Sequence, residues 1–280
     1  MNNIIIEKIS YDTLNFNKIN NANLPIEPDD IKAMSQNYTE ELKKTHLDKY
    51  YRLINYPVKF EYVLLHNEIE ILLSACHIGI ITGRRPKLLK AELDYVEDRL
   101  TKNWIDGAYF VRFDSASPKD GMYKFPITSA TDLISVLVTS RRAYNSLLNN
   151  DTKLYFVEFN DNWDQNKELR VFVCNKKVSC ITQYNVYKVA YFNKFTDEQL
   201  TELCEKIIKY VEQDLMHNVC DKINITNFTA DVYIGDSEIK LIEFNSFGYW
   251  LAAGSGLFNW ITDKDKLYRK EDKIYLRILV

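Results

Sequence analysis

The chain has 280 residues, a net charge of −3, 46% hydrophobic and 27% charged residues, with 8 Gly and 6 Pro. This is a globular make-up, large enough for one large domain or two packed ones, and it excludes collagen-like, linker-like and disordered chains. The slight acidic balance argues against a protein built mainly to hold duplex nucleic acid, while leaving a local basic groove open.

The opening Ile4 to Ile6 reads as a strand, followed by an Asn-rich loop and a helix start at Asp29 or Asp30. Residues 31–104 read as largely helical. Ile69, Leu72, Leu73, Cys76 and Ile80 fall at helical spacing, as do Leu88, Leu89, Leu93, Val96 and Leu100. Arg84-Arg85-Pro86 separates the two stretches, because proline pushes the residue before it out of the helical region. The uncharged run Ile71 to Gly83 is shorter than the ~20 residues that span a bilayer, so no membrane partner is expected.

From Trp104 onward strands dominate. Ala108 to Phe113 is a strand, followed by the polar loop Asp114 to Gly121 and a helix from about Ser129. Leu154 to Phe159 is a further strand. Residues 168–184 form a hairpin turning at Asn175-Lys176, since Asn tolerates positive φ. Thr196 and Gln199 make a capping box for a helix with an apolar stripe from Leu200 to Leu215.

The five cysteines, Cys76, Cys174, Cys180, Cys204 and Cys220, show no C-x-x-C spacing and are odd in number. They predict reduced thiols rather than disulfides or a zinc site. MNNIIIEKIS lacks the basic start of a signal peptide, so a cytoplasmic protein is expected. His46, His66, His77 and His217 sit in no nucleophile motif.

Thr226 to Ile234 and Glu238 to Asn245 read as a second hairpin through Gly235-Asp236-Ser237. That loop sets Ile234 opposite Glu238 and Asp231 opposite Leu241, and gathers Asp231, Glu243 and Asn245 on one face. Two carboxylates and an amide form a hard, all-oxygen donor set suited to Mg²⁺ or Mn²⁺. A merely wet face is the competing explanation, although Asp and Asn are poor strand formers. Arg170 is either a surface salt bridge, for instance with Glu168, or a bidentate phosphate clamp. Arg112 precedes a Ser-rich loop able to offer N–H groups and hydroxyls to phosphates.

Three blocks resemble the cell division cycle protein 123 family, a divergent branch of the ATP-grasp fold. They are Phe110 to Asp120; Glu168 to Val173 with Val178 to Gln183; and Ala230 to Ile234 with Leu241 to Gly248, running on to Leu257-Phe258-Asn259-Trp260. The resemblance covers about residues 105–280 (block spacing), and Arg277 stands where the family's closing strand has its arginine.

It implies an α+β ATP-grasp fold with two α+β lobes, nucleotide held between antiparallel sheets, and a helical N-terminal region. The corresponding division is 1–104, 105–165 as small lobe and 166–280 as large lobe. It further implies that Asp231, Glu243 and Asn245 hold Mg²⁺ (or Mn²⁺) and that Arg170 and Arg112 contact phosphates. Ser115, Ala116 and Ser117 would form the phosphate-side loop, and Phe156, Val157, Glu158 and Phe159 the adenine hinge. Gln183 matches a family site residue. Glu243 replaces the family's Asp, Arg112 its Lys, and Tyr184-Asn185 its basic-acidic pair; the basic residues near Glu158 and Phe159 are missing.

The family's role is to bind the γ subunit of translation initiation factor 2 and promote assembly of that heterotrimer, with ATP bound. The expectation is therefore an ATP- and Mg²⁺-binding assembly factor. An alternative is an active ATP-grasp ligase joining a carboxylate to an amine or RNA ends; a third is a scaffold that keeps the fold without nucleotide.

Overall fold

The computed structural model describes residues 3–19, 38–248, 251 and 254–280; the helix start expected at Asp29 or Asp30 lies outside them. In chain order the elements are β1 Ile4–Ile9, α1 Tyr38–Lys43, α2 Leu47–Tyr50, β2 Val58–Val63, α3 His66–Thr82, α4 Lys90–Lys102, β3 Tyr109–Arg112, α5 Ala130–Thr139, α6 Arg141–Leu148 and β4 Lys153–Glu158. There follow β5 Glu168–Cys174, β6 Lys177–Gln183, α7 Asp197–Lys209 continuing as a π-helical stretch Tyr210–Cys220, β7 Phe228–Ile234, β8 Ile239–Asn245, α8 Lys264–Leu267 and β9 Ile274–Leu279. The expected α+β class is what the structure has.

Contacts divide the chain into two compact units, Met1–Ile54 with Trp163–Val280, and Asn55–Asn162. The boundary expected after residue 165 lies close to one of these. The one expected after 104 falls inside the second unit, because β2, buried within the stretch read as helical, pairs with β4. Its alternation of Val58, Phe60 and Tyr62 with Lys59 and Glu61 is a strand signal that the helical reading passed over.

The first unit is built on a six-stranded sheet of order β1-β9-β6-β5-β7-β8. The sheet is mixed rather than antiparallel throughout: β9 runs parallel to both β1 and β6. The β5–β6 turn is where the sequence puts it, with Asn175 and Lys176 at φ 51° and 64°, as a two-residue hairpin requires. Alternation sorts the two faces row by row. One row reads Ile6, Leu276, Ile181, Val171, Ala230, Phe244, apolar throughout. Its neighbour reads Glu7, Arg277, Thr182, Arg170, Asp231, Glu243, polar throughout.

Helix α7 packs beside β1. Its capping box forms as expected, Gln199 N–H donating to Thr196 Oγ1 (3.3 Å) and Thr196 N–H to Gln199 Oε1 (2.9 Å). The edge strand β8 is closed by hydroxyls: Phe244 N–H donates to Tyr50 Oη (3.3 Å) and Leu241 N–H to Tyr210 Oη (3.1 Å). Such caps remove the unpaired donors that make an edge sticky.

The second unit holds a three-stranded antiparallel sheet, β2-β4-β3, with α3 to α6 around one core. Helix α3 stops at Gly83, whose φ of 63° is the left-handed conformation a C-terminal glycine supplies without strain. Among the described residues no helix is long and apolar enough to cross a membrane.

Candidate functional site

The polar row is the centre of the candidate site, and its register is not the one expected. Ile234 pairs with Ile239, so the β7–β8 loop runs from Gly235 to Glu238, one residue longer than read from sequence. A bulge between Asp231 and Val232 then restores the shift, and Ile242 is the extra residue. Asp231 therefore lies opposite Glu243, not Leu241. The bulge keeps Val232 and Leu241 buried near the turn while Asp231, Glu243 and Asn245 stay together beyond it.

Arg170 lies opposite Asp231 on the other side, on β5. It is neither exposed nor paired with Glu168. Its Nε donates to Asp231 Oδ1 (2.7 Å) and its Nη2 to Asp231 Oδ2 (2.8 Å), a planar fork on a carboxylate that is 1% exposed. Asn245 Nδ2 adds a third bond to Asp231 Oδ2 (3.1 Å). Burial by itself disfavours the Arg170 charge, and the adjacent Asp231 carboxylate more than offsets it, so the guanidinium is held protonated more firmly than usual. Glu168 instead accepts from Trp163 Nε1 (2.6 Å), and Trp163 stacks on Tyr233.

Residues 254–257 lie against this row. Arg170 Nη1 donates to Gly254 O (2.6 Å), Leu257 N–H donates to Thr182 Oγ1 (3.3 Å), and Arg277 Nη1 donates to Leu257 O (3.0 Å). Arg277 is further fixed by Glu7 (2.7 Å from Nε) and Asp263 (2.9 and 3.0 Å), and lies 4.1 Å over the Phe258 ring. Gly256, at φ 58°, lets the segment pass Thr182; a Cβ there would stand 2.4 Å from Thr182 Cγ2. Beside Ser246 and Phe247 opens a cavity of about 330 Å³, also lined by Cys174, Asn227 and Leu251.

Tyr184 was singled out in the sequence only as a departure from the family pattern. Its ring lies 5.2 Å from the Arg170 guanidinium, a cation–π contact that closes one side of the fork. Burial first, then the Asp231 and Glu243 carboxylates, push its hydroxyl up to about 12. The sequence signal is simple: Tyr184 continues β6 one residue past Gln183, where the strand passes Glu168 (N–H to O 3.0 Å). The Gly254 carbonyl carries no such signal.

Gln183 is tied within the first unit. Its Nε2 donates to Asn185 O (2.5 Å) and Lys188 O (2.7 Å), and its Oε1 accepts from Leu279 N–H (2.7 Å).

A metal ion would find oxygen donors at this row. Among the described residues no three His, Cys, Asp or Glu side chains stand close enough to hold one, so a set here would join the Asp231 and Glu243 carboxylates to the Asn245 amide oxygen. Glu243 and Asn245 are partly exposed, whereas both Asp231 oxygens already accept hydrogen bonds. The all-oxygen chemistry fits a hard ion such as Mg²⁺ or Mn²⁺, with water or phosphate completing its shell.

The remaining candidates belong to the second unit. Arg112 is 3% exposed on β3. Ser115 Oγ bonds Ser146 Oγ (2.8 Å) and Asp151, and its N–H donates to Asp151 Oδ2 (3.1 Å). Ala116 O accepts from Phe113 N–H (2.7 Å) and Ser117 O from Lys119 N–H (2.9 Å), so the loop is internally tied. Phe156 and Val157 are buried in β4, the middle strand. The N–H groups of Glu158 and Phe159 donate to Pro57 O (3.2 Å) and Ala108 O (2.9 Å). That segment therefore has carbonyls and side chains, not those two N–H groups, to give a base.

The D123 family model matches residues 130–280. A CDC123-like protein of Acanthamoeba polyphaga mimivirus is 30% identical over 223 residues, 75% of this chain and 64% of that relative. The translation initiation factor eIF2 assembly protein of Candida albicans is 24% identical over 193 residues, 62% of this chain and 54% of the relative. The chain thus matches less than two thirds of the length of either. C-terminally truncated Cdc123 from Schizosaccharomyces pombe has the same fold, with a TM-score of 0.61 at 18% identity over 86% of this chain and 97% of that one.

Proposed function

Since this chain belongs to the D123 family, we propose that it binds ATP with Mg²⁺ (or Mn²⁺) in an ATP-grasp site and assists assembly of translation initiation factor 2, with the γ subunit as its partner. The reading draws on the assembly role named for the Candida relative and on the fold shared with Cdc123. A cytoplasmic location is part of it, consistent with five free, buried cysteines.

The observation that carries the nucleotide part is the Arg170–Asp231–Glu243 row with Asn245 beside it. Asp231 is fixed by the Arg170 fork before any ligand arrives, so its oxygens need no reorganisation on binding. Glu243 and Asn245 would hold the metal from one strand, with Asp231 as third donor. A bound divalent ion would neutralise part of a triphosphate's charge. Arg170 would supply positive charge to phosphates from its outer Nη groups while keeping Asp231 in place. The contacts assigned to Arg112, Ser115, Ala116, Ser117 and the 156–159 segment rest on the family resemblance alone.

Thermal unfolding with ATP and MgCl₂ tests this. Ligand at about 100 times its Kd stabilises by ~2.7 kcal/mol, a shift of several degrees. The rise should vanish with EDTA and in Glu243→Gln and Asn245→Ala, which leave the Arg170–Asp231 pair intact. No shift at millimolar nucleotide overturns the nucleotide reading. Failure of purified γ subunit to bind overturns the assembly reading, and ADP or AMP released with a joined product would make the protein a ligase.

A further inference from the structure

The second unit carries a surface that neither its own core nor the proposed nucleotide site uses. Ile81 in the last turn of α3, Leu88 in the loop to α4, and Met122 before α5 are 85%, 84% and 70% exposed. Single exposed apolar side chains are ordinary, but a cluster on a fixed framework is not. The framework is fixed by several contacts. Met122 Cγ and Sδ lie 3.5 Å from the position of a Cβ at Gly83, and its N–H donates to Thr139 Oγ1 (3.0 Å). The Val138 carbonyl packs against Gly79 so closely that a Cβ would stand 2.2 Å away. The end of α3, the Met122 loop and the junction of α5 with α6 are therefore one neighbourhood. Arg85, held by Asp94 (2.8 Å) and Glu97, and the buried Pro86 anchor the loop that presents Leu88.

The same segments carry unpaired positive charge. Arg84, Lys87, Arg141 and Arg142 are exposed, and among the described residues their side chains have no hydrogen bond, ion pair or ring contact. The neighbouring acids are already engaged. Asp120 accepts from Ser140 Oγ and from the N–H groups of Arg141 and Arg142; Asp94 and Glu97 hold Arg85; Asp132 accepts from Thr128 Oγ1 (3.2 Å).

We infer that this face docks an acidic amphipathic segment of a partner protein, its apolar side chains resting on Ile81, Leu88 and Met122 and its carboxylates facing Arg84, Lys87, Arg141 and Arg142. An apolar centre with a charged rim is how protein interfaces are built. The anchors are aliphatic, whereas single-stranded nucleic acid is held by aromatic rings on which bases stack. Methionine adapts its shape to a partner better than branched side chains do. The surface extends the assembly reading by giving a protein partner somewhere to bind, yet it lies wholly within the second unit and uses none of the residues assigned to the ATP site.

The full chain is titrated with a labelled helical peptide carrying Leu on one face and Glu on the other. Controls are the same peptide with Lys for Glu, the same with Ser for Leu, phosphatidylserine vesicles, and a single-stranded RNA. The Glu/Leu peptide should bind alone among these and weaken with added salt. An Ile81→Ser/Leu88→Ser/Met122→Ser variant and an Arg84→Glu/Arg141→Glu/Arg142→Glu variant should each lose affinity roughly 10-fold or more at unchanged melting temperature. No binding by the unaltered chain, binding that survives both variants, or equal binding to any control overturns the inference. Both variants should keep the ATP response, and Glu243→Gln should keep the peptide, so the two readings fail separately.

Discussion

Removing the carboxylate of Asp231 should destabilise the first unit more than any surface change. The residue is 1% exposed and takes two bonds from Arg170, at 2.7 and 2.8 Å, and one from Asn245 at 3.1 Å. Asp231→Ala leaves a buried guanidinium without the carboxylate that its fork holds. Breaking a buried ion pair from one side costs about 3–5 kcal/mol. At roughly 2–4 °C per kcal/mol for a protein of this size, the melting temperature should fall by roughly 6–20 °C. Arg170→Met should cost a similar amount, because it strands the carboxylate and also frees the Gly254 carbonyl. The Arg170→Met/Asp231→Leu double variant should be far less damaging than the sum, since neither charge is then left alone. Urea unfolding of all four proteins at pH 7 closes the cycle. Additive single effects, or an Asp231→Ala midpoint equal to that of the unaltered chain, would refute the claim that the pair is a buried structural unit.

Gly256→Ala should lose about 1–2 kcal/mol from the left-handed backbone alone, and more from contact with Thr182, read as a lower urea midpoint. Gln183→Leu removes the partners of Leu279 N–H and the Asn185 and Lys188 carbonyls and should cost about 1–3 kcal/mol, while the ATP-induced melting shift persists. A lost ATP shift at unchanged stability would instead make Gln183 a nucleotide contact. Burial pushes the Cys76, Cys204 and Cys220 thiols from 9.0 up to about 12. Between those values the unfolded chain has lost protons that the folded one keeps, so stability is whole below pH 9 and falls as pH rises. The slope is up to about 1.4 kcal/mol per pH unit for each thiol. Unfolding midpoints measured in steps from pH 8 to 11 should decline, and a flat profile would mean that these thiols ionise equally in both states.

Features governed by neighbours in sequence were legible without coordinates. The Asn175-Lys176 turn, the Thr196–Gln199 capping box and the alternation of β5 all follow from local backbone and side-chain preferences, and each stands where the residues put it. The same logic gathered Asp231, Glu243 and Asn245 on one face of a hairpin, because alternation along β8 is local. β2 was legible too, in Val58, Phe60 and Tyr62, but a helical reading of its surroundings concealed it.

Tertiary structure alone decided who faces whom. The β7–β8 register depended on a bulge at Asp231, which exists because Leu241 and Val232 must be buried together while the acids stay on the polar face. Arg170 carries no mark in sequence that its partner is Asp231, 61 residues away, rather than the nearby Glu168. The parallel insertion of β9 between β1 and β6 sets Arg277 against Glu7, 270 residues apart. Such pairings are chosen by the free energy of the packed whole: a buried charge must find an opposite charge in space, and chain distance has no part in that choice.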